Sequence, residues 1–460
     1  MAQTTEVKTG LVKGLGLFDA TTLVMGSMIG SGIFIVPADI GRQVGAPGLL
    51  LATWVATALL TMAAALSYGE LAAAMPHAGG QYVYLREAFG PLSGFLFGWT
   101  MFTVIQTGTI AAVAVAFAKF TGVFFPAVSA RNTVLPYLST QQLLAILVVV
   151  FLTALNTRGL RAGAVVQNVF TVAKVGALLG LIGLGLVFGR NPEAVARNFS
   201  NLWGEASFGW TAIRLTGVAM VGALFASDAW NNVTFTAGEV RNPRRNLPLA
   251  LALGVGIVSA LYLGCNLIYL RVLPLEAIQH ASEDRVATAV ASGILGPVAV
   301  QVMAAAIMVS TFGCLNGLIL AGARVYYAMA LDRLFFRRAA RLDSQRHTPV
   351  AALVLQCIWA CALTLSGTYS DLLDYVIFAV LLFYILTIAG VLVLRRTRPE
   401  MERPYRAFGY PVLPILYIAA AGLIEILLLL YKPSYTWPGL IIVLLGVPVY
   451  FFWRKREVPA

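Results

Sequence analysis

Two runs of small or polar residues interrupt long apolar stretches of this chain. One is Gly30-Ser31-Gly32 and the other is Ser227-Asp228-Ala229-Trp230-Asn231-Asn232. In hydrocarbon an interrupted helix strands N–H and C=O groups, which then need protein, ions or a ligand as partners. A pair of such interruptions in corresponding positions predicts a binding site at mid-membrane depth. Around the first, Gly26-Ser27-Met28-Ile29-Gly30-Ser31-Gly32-Ile33-Phe34, glycine and serine free the chain from helical dihedrals and let a ligand approach the backbone. A half-helix starting near Ser31 offers N–H groups and a positive dipole end to a carboxylate. A half-helix ending near Met28 offers carbonyls to an ammonium, so a zwitterion fits. The competing reading is that these glycines serve close helix packing.

The second run carries Asp228, an acid in the middle of a span, where a charge costs about 3 kcal/mol unless it meets a cavity or a partner. Contact with a substrate amine and participation in proton coupling are its functional readings; a structural anion on backbone N–H groups, or a protonated one, is the alternative. Lys174 lies within the fifth apolar stretch. Burial would let it replace a coupling cation or carry a proton, and snorkelling towards headgroups is the alternative. Glu70 and Glu239 fall at span ends, where solvation competes with gating pairs to Arg86 and Arg241, and solvation is preferred. Glu425 is expected at an interface. His77, His280 and His347 fall in loops, which leaves no histidine relay.

The elements that must position these residues are membrane spans. The chain has 460 residues, 59% hydrophobic and 11% charged, with mean hydropathy +0.82, which excludes an ordinary soluble protein. Apolar runs of spanning length recur, and twelve are expected, at approximately 17–38, 46–73, 91–118, 141–156, 163–188, 209–236, 248–270, 290–322, 349–366, 372–394, 411–431 and 437–453. The first is too long and glycine-rich for a cleaved signal peptide. With the N-terminus inside, 22 of the 32 Lys and Arg residues fall in inside segments, among them Arg324. Both termini are therefore expected in the cytoplasm. The interrupted spans are the first and the sixth, the offset of two five-span units of inverted topology. The expected division is a cytoplasmic segment 1–16, a first repeat 17–188, a second repeat 209–394, two further spans in 411–453 and a tail 454–460.

Other function classes find little support. The net charge of +12 sits in short loops where anionic headgroups attract it, so no nucleic-acid partner is expected. Cys265, Cys314, Cys357 and Cys361 lie in apolar spans without metal-ligand spacing, and no metal or cofactor is expected. There is no phosphate loop ending in Lys-Ser or Lys-Thr, no His-Glu-x-x-His and no Gly-x-Ser-x-Gly. The chain does not read as an enzyme, and any transport must be driven by gradients.

Four segments make the chain similar to the amino acid, polyamine and organocation transporter superfamily. They are Gly30-Ser31-Gly32-Ile33-Phe34; Tyr68-Gly69-Glu70-Leu71 through Pro76-His77-Ala78-Gly79-Gly80-Gln81-Tyr82; Phe225-Ala226 with Trp230-Asn231; and Gly238-Glu239-Val240-Arg241-Asn242-Pro243-Arg244-Arg245-Asn246-Leu247-Pro248. Ser310-Thr311-Phe312-Gly313-Cys314-Leu315-Asn316-Gly317, Arg398-Pro399-Glu400-Met401-Glu402-Arg403-Pro404 and Gly446-Val447-Pro448-Val449-Tyr450-Phe451-Phe452 most resemble the L-type amino acid transporter branch and its bacterial relatives.

The resemblance implies an all-α integral membrane protein of twelve transmembrane helices. It implies a five-plus-five inverted repeat (LeuT-like fold), discontinuous helices 1 and 6, and two extra C-terminal helices. It also implies sodium-independent exchange or proton-coupled uptake of amino acids by alternating access at the plasma membrane. By motif, the amides of Ser31 and Gly32 would take the substrate carboxylate, carbonyls of Met28 and Phe225 its amino group, and the Phe225 ring would gate. Lys174 matches the lysine that stands at the sodium position of sodium-coupled relatives, a coupling role. The expected substrate site is Met28, Ile29, Gly30, Ser31, Gly32, Phe225, Ser227, Asp228, Trp230 and Asn231, with Glu239 in gating. Ser227-Asp228-Ala229 departs from the branch's Tyr-Gly-Gly, which opens polyamine or cationic amino acid transport as an alternative. A non-transporting sensor is a further one. Residues 119–140 lack the cysteine that bonds a glycoprotein partner in eukaryotic members, so no covalent heavy chain is expected.

Overall fold

The computed structural model describes residues 11–204, 209–366 and 369–455. Most of the N-terminal segment, with Lys8, and the tail residues 456–460 lie outside the described residues. The first apolar stretch is two helices, α1 (Leu17–Met28) and α2 (Gly32–Val44), bent by 42° at the glycine-serine break. Gly45, at φ 67, ends α2 in the left-handed region that glycine tolerates. Pro47 opens α3 (Pro47–Ala74), where its missing N–H costs nothing. Then come α4 (Gln81–Phe89) and α5 (Pro91–Thr100), which runs through a π turn, Met101–Ile105, into α6 (Gln106–Thr121).

A short antiparallel hairpin, β1 (Thr133–Leu135) with β2 (Leu138–Ser139), departs from the all-helical expectation, its Thr and Val suiting an exposed extended segment. The helices α7 (Thr140–Asn156), α8 (Leu160–Val187) and α9 (Pro192–Ser200) follow. The sixth stretch is also discontinuous: α10 (Trp210–Ala226) gives way to a non-helical run before the single turn α11 (Asn232–Phe235). The remainder is α12 (Pro243–Val272), α13 (Leu275–Gln279), α14 (Val286–Leu295), α15 (Ala299–Leu331), α16 (Val350–Ser366), α17 (Tyr369–Thr397), α18 (Val412–Tyr431) and α19 (Pro433–Lys455).

Among the described residues eight helices are long and apolar enough to cross a membrane, or nine with α1 and α2 as one bent span. The apolar helices α7, α10, α14 and α16 are shorter. The eighth stretch differs from the expected 290–322. Gly296, at φ 70, and Pro297 split it, so the long helix starts at Ala299 and runs to Leu331. Arg324, expected in a loop, is consequently inside a helix and 1% exposed.

The packing order explains where the breaks sit. α1 lies against α8, α12 and α15, and α2 lies against α10, so both interruptions are at the centre of the bundle. Arg86 of α4, Arg244 at the start of α12, the connection between α15 and α16, and Arg398 after α17 are tied together by the ion pairs Arg86–Asp332, Arg244–Glu402 and Arg398–Glu87, and so gather at one end, here called the basic face.

Candidate functional site

The two breaks touch. A Cβ on Gly32 would lie 2.6 Å from the Cβ of Ala226 and 2.9 Å from its Cα, closer than real carbons pack. Close packing and helix interruption therefore coexist at this glycine. α1 stops at Met28 and α2 begins at Gly32 with Ser31 before it; the Phe34 amide donates back to the Ser31 carbonyl at 3.1 Å, while the amides of Gly32 and Ile33 lack intrahelical acceptors, as at any helix start. At the second break the amide of Asp228 donates to the Phe225 carbonyl at 3.2 Å and Ala229 takes φ 64, a conformation costly for a residue with a Cβ.

A shell of donors clasps the end of α1. Lys174 on α8 is 1% exposed, and its Nζ donates to the carbonyls of Gly26 at 2.7 Å, Ile29 at 2.6 Å and Ser310 at 3.2 Å. That overturns the snorkelling alternative, because three backbone acceptors compensate the ammonium inside the protein. Ser310 Oγ donates to Gly30 O at 2.9 Å, and Cys314 Sγ to Ser27 O at 3.1 Å. The Tyr262 hydroxyl lies 3.2 Å from Met28 O and 3.0 Å from Ala226 O, linking the two breaks. The carbonyls of Met28 and Phe225, expected open for an amino group, thus each already have one donor; a second lone pair remains on each.

Asp228 has a partner on α17. The Tyr384 hydroxyl donates to its Oδ1 at 2.6 Å. Asp228 lines two narrow cavities, one with Gln106, Thr109, Asn232 and Tyr384, the other with Leu60, Thr61, Ser227 and Tyr417. Neither of these two cavities is lined by residues 28–32. Trp230 is 2% exposed, with its ring 4.8 Å from Tyr68 and 5.1 Å from Tyr384, a packed aromatic position beside the second cavity. Asn231 Nδ2 donates to Gln81 Oε1 at 2.8 Å, and Gln81 Nε2 to Thr387 at 3.0 Å. Phe225 is half-buried against the core.

The ion pairs at the basic face also differ from expectation. Glu239 is 1% exposed and binds Arg324 in two bonds of 2.9 Å, rather than standing solvated or pairing with Arg241. Its carbonyl accepts from the amides of Gly14 and Leu15, and Leu15 O accepts from Arg241 N, which straps the segment before α1 across the end of the second break. Glu70, also buried, takes Arg395 at 2.9 and 2.6 Å and the Ala407 amide at 2.7 Å. Arg86 instead joins Glu87 and Asp332. Burial pushes the Glu87 carboxyl up, but hydrogen bonds from Arg398 and Arg86 outweigh it and hold the group below its ordinary value. Solvation loses in each case because these acids sit between helices, where a bidentate guanidinium is the compensating partner.

Sequence reasoning missed Tyr262, Tyr384 and Tyr417, which read as ordinary apolar-span aromatics. A signal existed for Gln106, Gln167 and Asn156, amides within apolar runs: Asn156 and Gln167 bond Asn316 at 2.9 and 3.2 Å. Glu425, expected at an interface, is 7% exposed on α18, and neither carboxyl oxygen has a hydrogen-bond partner among the described residues.

The family model for amino acid permeases matches residues 15–451. The b(0,+)-type amino acid transporter 1 of Mus musculus is 31% identical over 98% of this chain and 92% of its own. The human protein of that name is 30% identical over 98% and 90%. The large neutral amino acids transporter small subunit 2 of Homo sapiens is 31% identical over 97% of this chain and 82% of its own. The chain belongs to the amino acid permease family. It is a multi-pass membrane transport protein and not an enzyme.

Proposed function

We propose that this protein is a sodium-independent secondary transporter of amino acids, an exchanger or a proton-coupled permease, working by alternating access across the plasma membrane. The observation that carries this reading is the contact between the two breaks, with the amide end of α2 beside the carbonyl ends of α1 and α10. An α-amino acid backbone matches those opposite partial charges. In this reading Ser31 and Gly32 seat the carboxylate, and the remaining lone pairs of Met28 and Phe225 seat the amino group. Phe225 gates the seat. Lys174 supplies the fixed cation at a sodium position, coupling the seat to α8. The fold is twelve spans with a five-plus-five inverted repeat, and the basic face, with both termini, lies in the cytoplasm. The Glu239–Arg324 pair and the strap at Gly14 and Leu15 hold that face shut.

A second reading, cationic amino acid or polyamine transport, is favoured by Asp228 lining a cavity with Gln106, Thr109 and Asn232. Some relatives carry "small subunit" in their names; with no cysteine in residues 119–140, this chain works without a partner disulfide-linked there. The test is counterflow in proteoliposomes at two pH values with amino acids, their methyl esters and polyamines. Amino acids should exchange and esters should not. Esters or polyamines competing as well would remove the carboxylate seat, and no movement of any amino acid would favour a sensor. Asp228→Asn should alter substrate choice or pH dependence more than folding.

A further inference from the structure

The connection between α15 and α16 carries Arg333, Arg337, Arg338, Arg341 and Arg346 within a short stretch. A wide groove opens between this connection and the start of α16. Arg337, Arg338 and Arg341 line one side, and Val350, Val354 and Leu355 line the other. Arg338 and Arg341 are exposed and form no ion pair among the described residues. The acid on the rim, Asp343, spends Oδ1 on the amides of Gln345 and Arg346 at 3.1 and 2.8 Å. Asp332, the other nearby acid, is held by Arg86 and Tyr82. Arg338 and Arg341 therefore face the groove without an ion-pair partner among the described residues, and with Arg337 they outnumber the one acid on the rim, Asp343.

The turn that holds them is fixed in place. Ala339 is fully buried, and Phe335 stacks on Tyr326 with ring centres 5.6 Å apart and meets Phe102 edge-on at 5.2 Å. The opposite wall does not end at the groove. Val350, Val354 and Ile358 follow one another at helical spacing along the outside of α16, with Val354 44% and Ile358 62% exposed. A ligand filling this groove must join an anion at the basic face to an apolar tail running towards the membrane interior. A solvated loop would need no apolar wall, and a free phosphate would not use one.

We infer that the groove holds an anionic phospholipid of the leaflet at the basic face, its phosphate on Arg338 and Arg341 and its first methylenes along Val350 and Val354. Basic pockets beside spans recognise lipid headgroups in this way. The site lies apart from the breaks, so the inference does not depend on the transported substrate.

The test is native mass spectrometry of the full chain with dioleoyl-phosphatidylglycerol or dioleoyl-phosphatidylcholine, and with sn-glycerol 1-phosphate as competitor. The wild type should retain phosphatidylglycerol selectively. Arg338→Gln with Arg341→Gln should weaken that retention by about 30-fold, roughly fivefold for each charge. Arg244→Gln with Arg245→Gln, exposed charges elsewhere on the same face, should leave it unchanged. Val354→Glu should weaken it through the apolar wall. Equal retention in the Arg338/Arg341 variant, equal loss in the Arg244/Arg245 variant, or displacement of the lipid by glycerol phosphate would each overturn the inference.

Discussion

Removing Arg324 while keeping Glu239 should open the basic face of the bundle. Both side chains are 1% exposed, and two charge-assisted bonds of 2.9 Å join them. Arg324→Met leaves a carboxylate in a site that excludes water, a loss of about 3–5 kcal/mol by comparison with other broken buried pairs. Replacing both partners, Glu239→Leu with Arg324→Met, removes the need along with the partner and should recover most of that loss. The strap provides a local readout, because the amides of Gly14 and Leu15 donate to the carbonyl of Glu239 itself. Hydrogen–deuterium exchange over residues 11–20 should accelerate about a hundredfold or more in Arg324→Met, since each 1.4 kcal/mol is a factor of ten. The double variant should exchange close to the wild-type rate. If Arg324→Met left exchange unchanged, or if the double variant exchanged as fast as the single one, the pair would not be what keeps this face closed.

Three further outcomes follow from the geometry. Lys174→Met should cost about 3–6 kcal/mol of stability, from two short bonds of a charged donor and the carbonyls they leave unmet, read as a large fall in detergent-solubilised melting temperature. Gly32→Ala should lower stability by about 1–3 kcal/mol through overpacking against Ala226, whereas Gly30→Ala, 3.4 Å from Cys314 Sγ, should be milder; equal melting temperatures would contradict the contact between the breaks. The Glu87 carboxyl is held below its ordinary value of 4.5, so its clamp on Arg398 contributes in full above that pH and is lost as pH falls below it. Protection factors in α4, with the intrinsic pH dependence of amide exchange divided out, should fall on acidification in the wild type and fall less over that window in Glu87→Gln.

What could be read from the chain and what could not divide along physical lines. Gly30-Ser31-Gly32 and the run from Ser227 to Asn232 announce themselves because small and polar residues are out of place in apolar stretches. The structure interrupts both helices there. Partner choice was not legible. Glu70 finds Arg395, 325 positions away, and Glu239 finds Arg324, 85 positions away; local charge spacing suggested Arg86 and Arg241 instead. Arg324 looks like a loop residue in the sequence because an arginine ends an apolar run in any hydropathy count, although a guanidinium with a bidentate partner can stay in a helix. The direction of Asp228 depends on Tyr384, an aromatic whose hydroxyl is invisible to periodicity.

Tyr262 carries a single hydroxyl proton, yet two carbonyls, one from each interrupted helix, lie within 3.2 Å of its oxygen. One proton cannot fully serve both. Met28 and Ala226 are therefore rivals for the same donor, and whichever is less well served stays receptive to an N–H brought from outside. Under the proposed function, an ammonium that takes one carbonyl would release the hydroxyl to the other. In that reading the tyrosine would act as a relay between α1 and α10, letting either helix register what has bound to its neighbour.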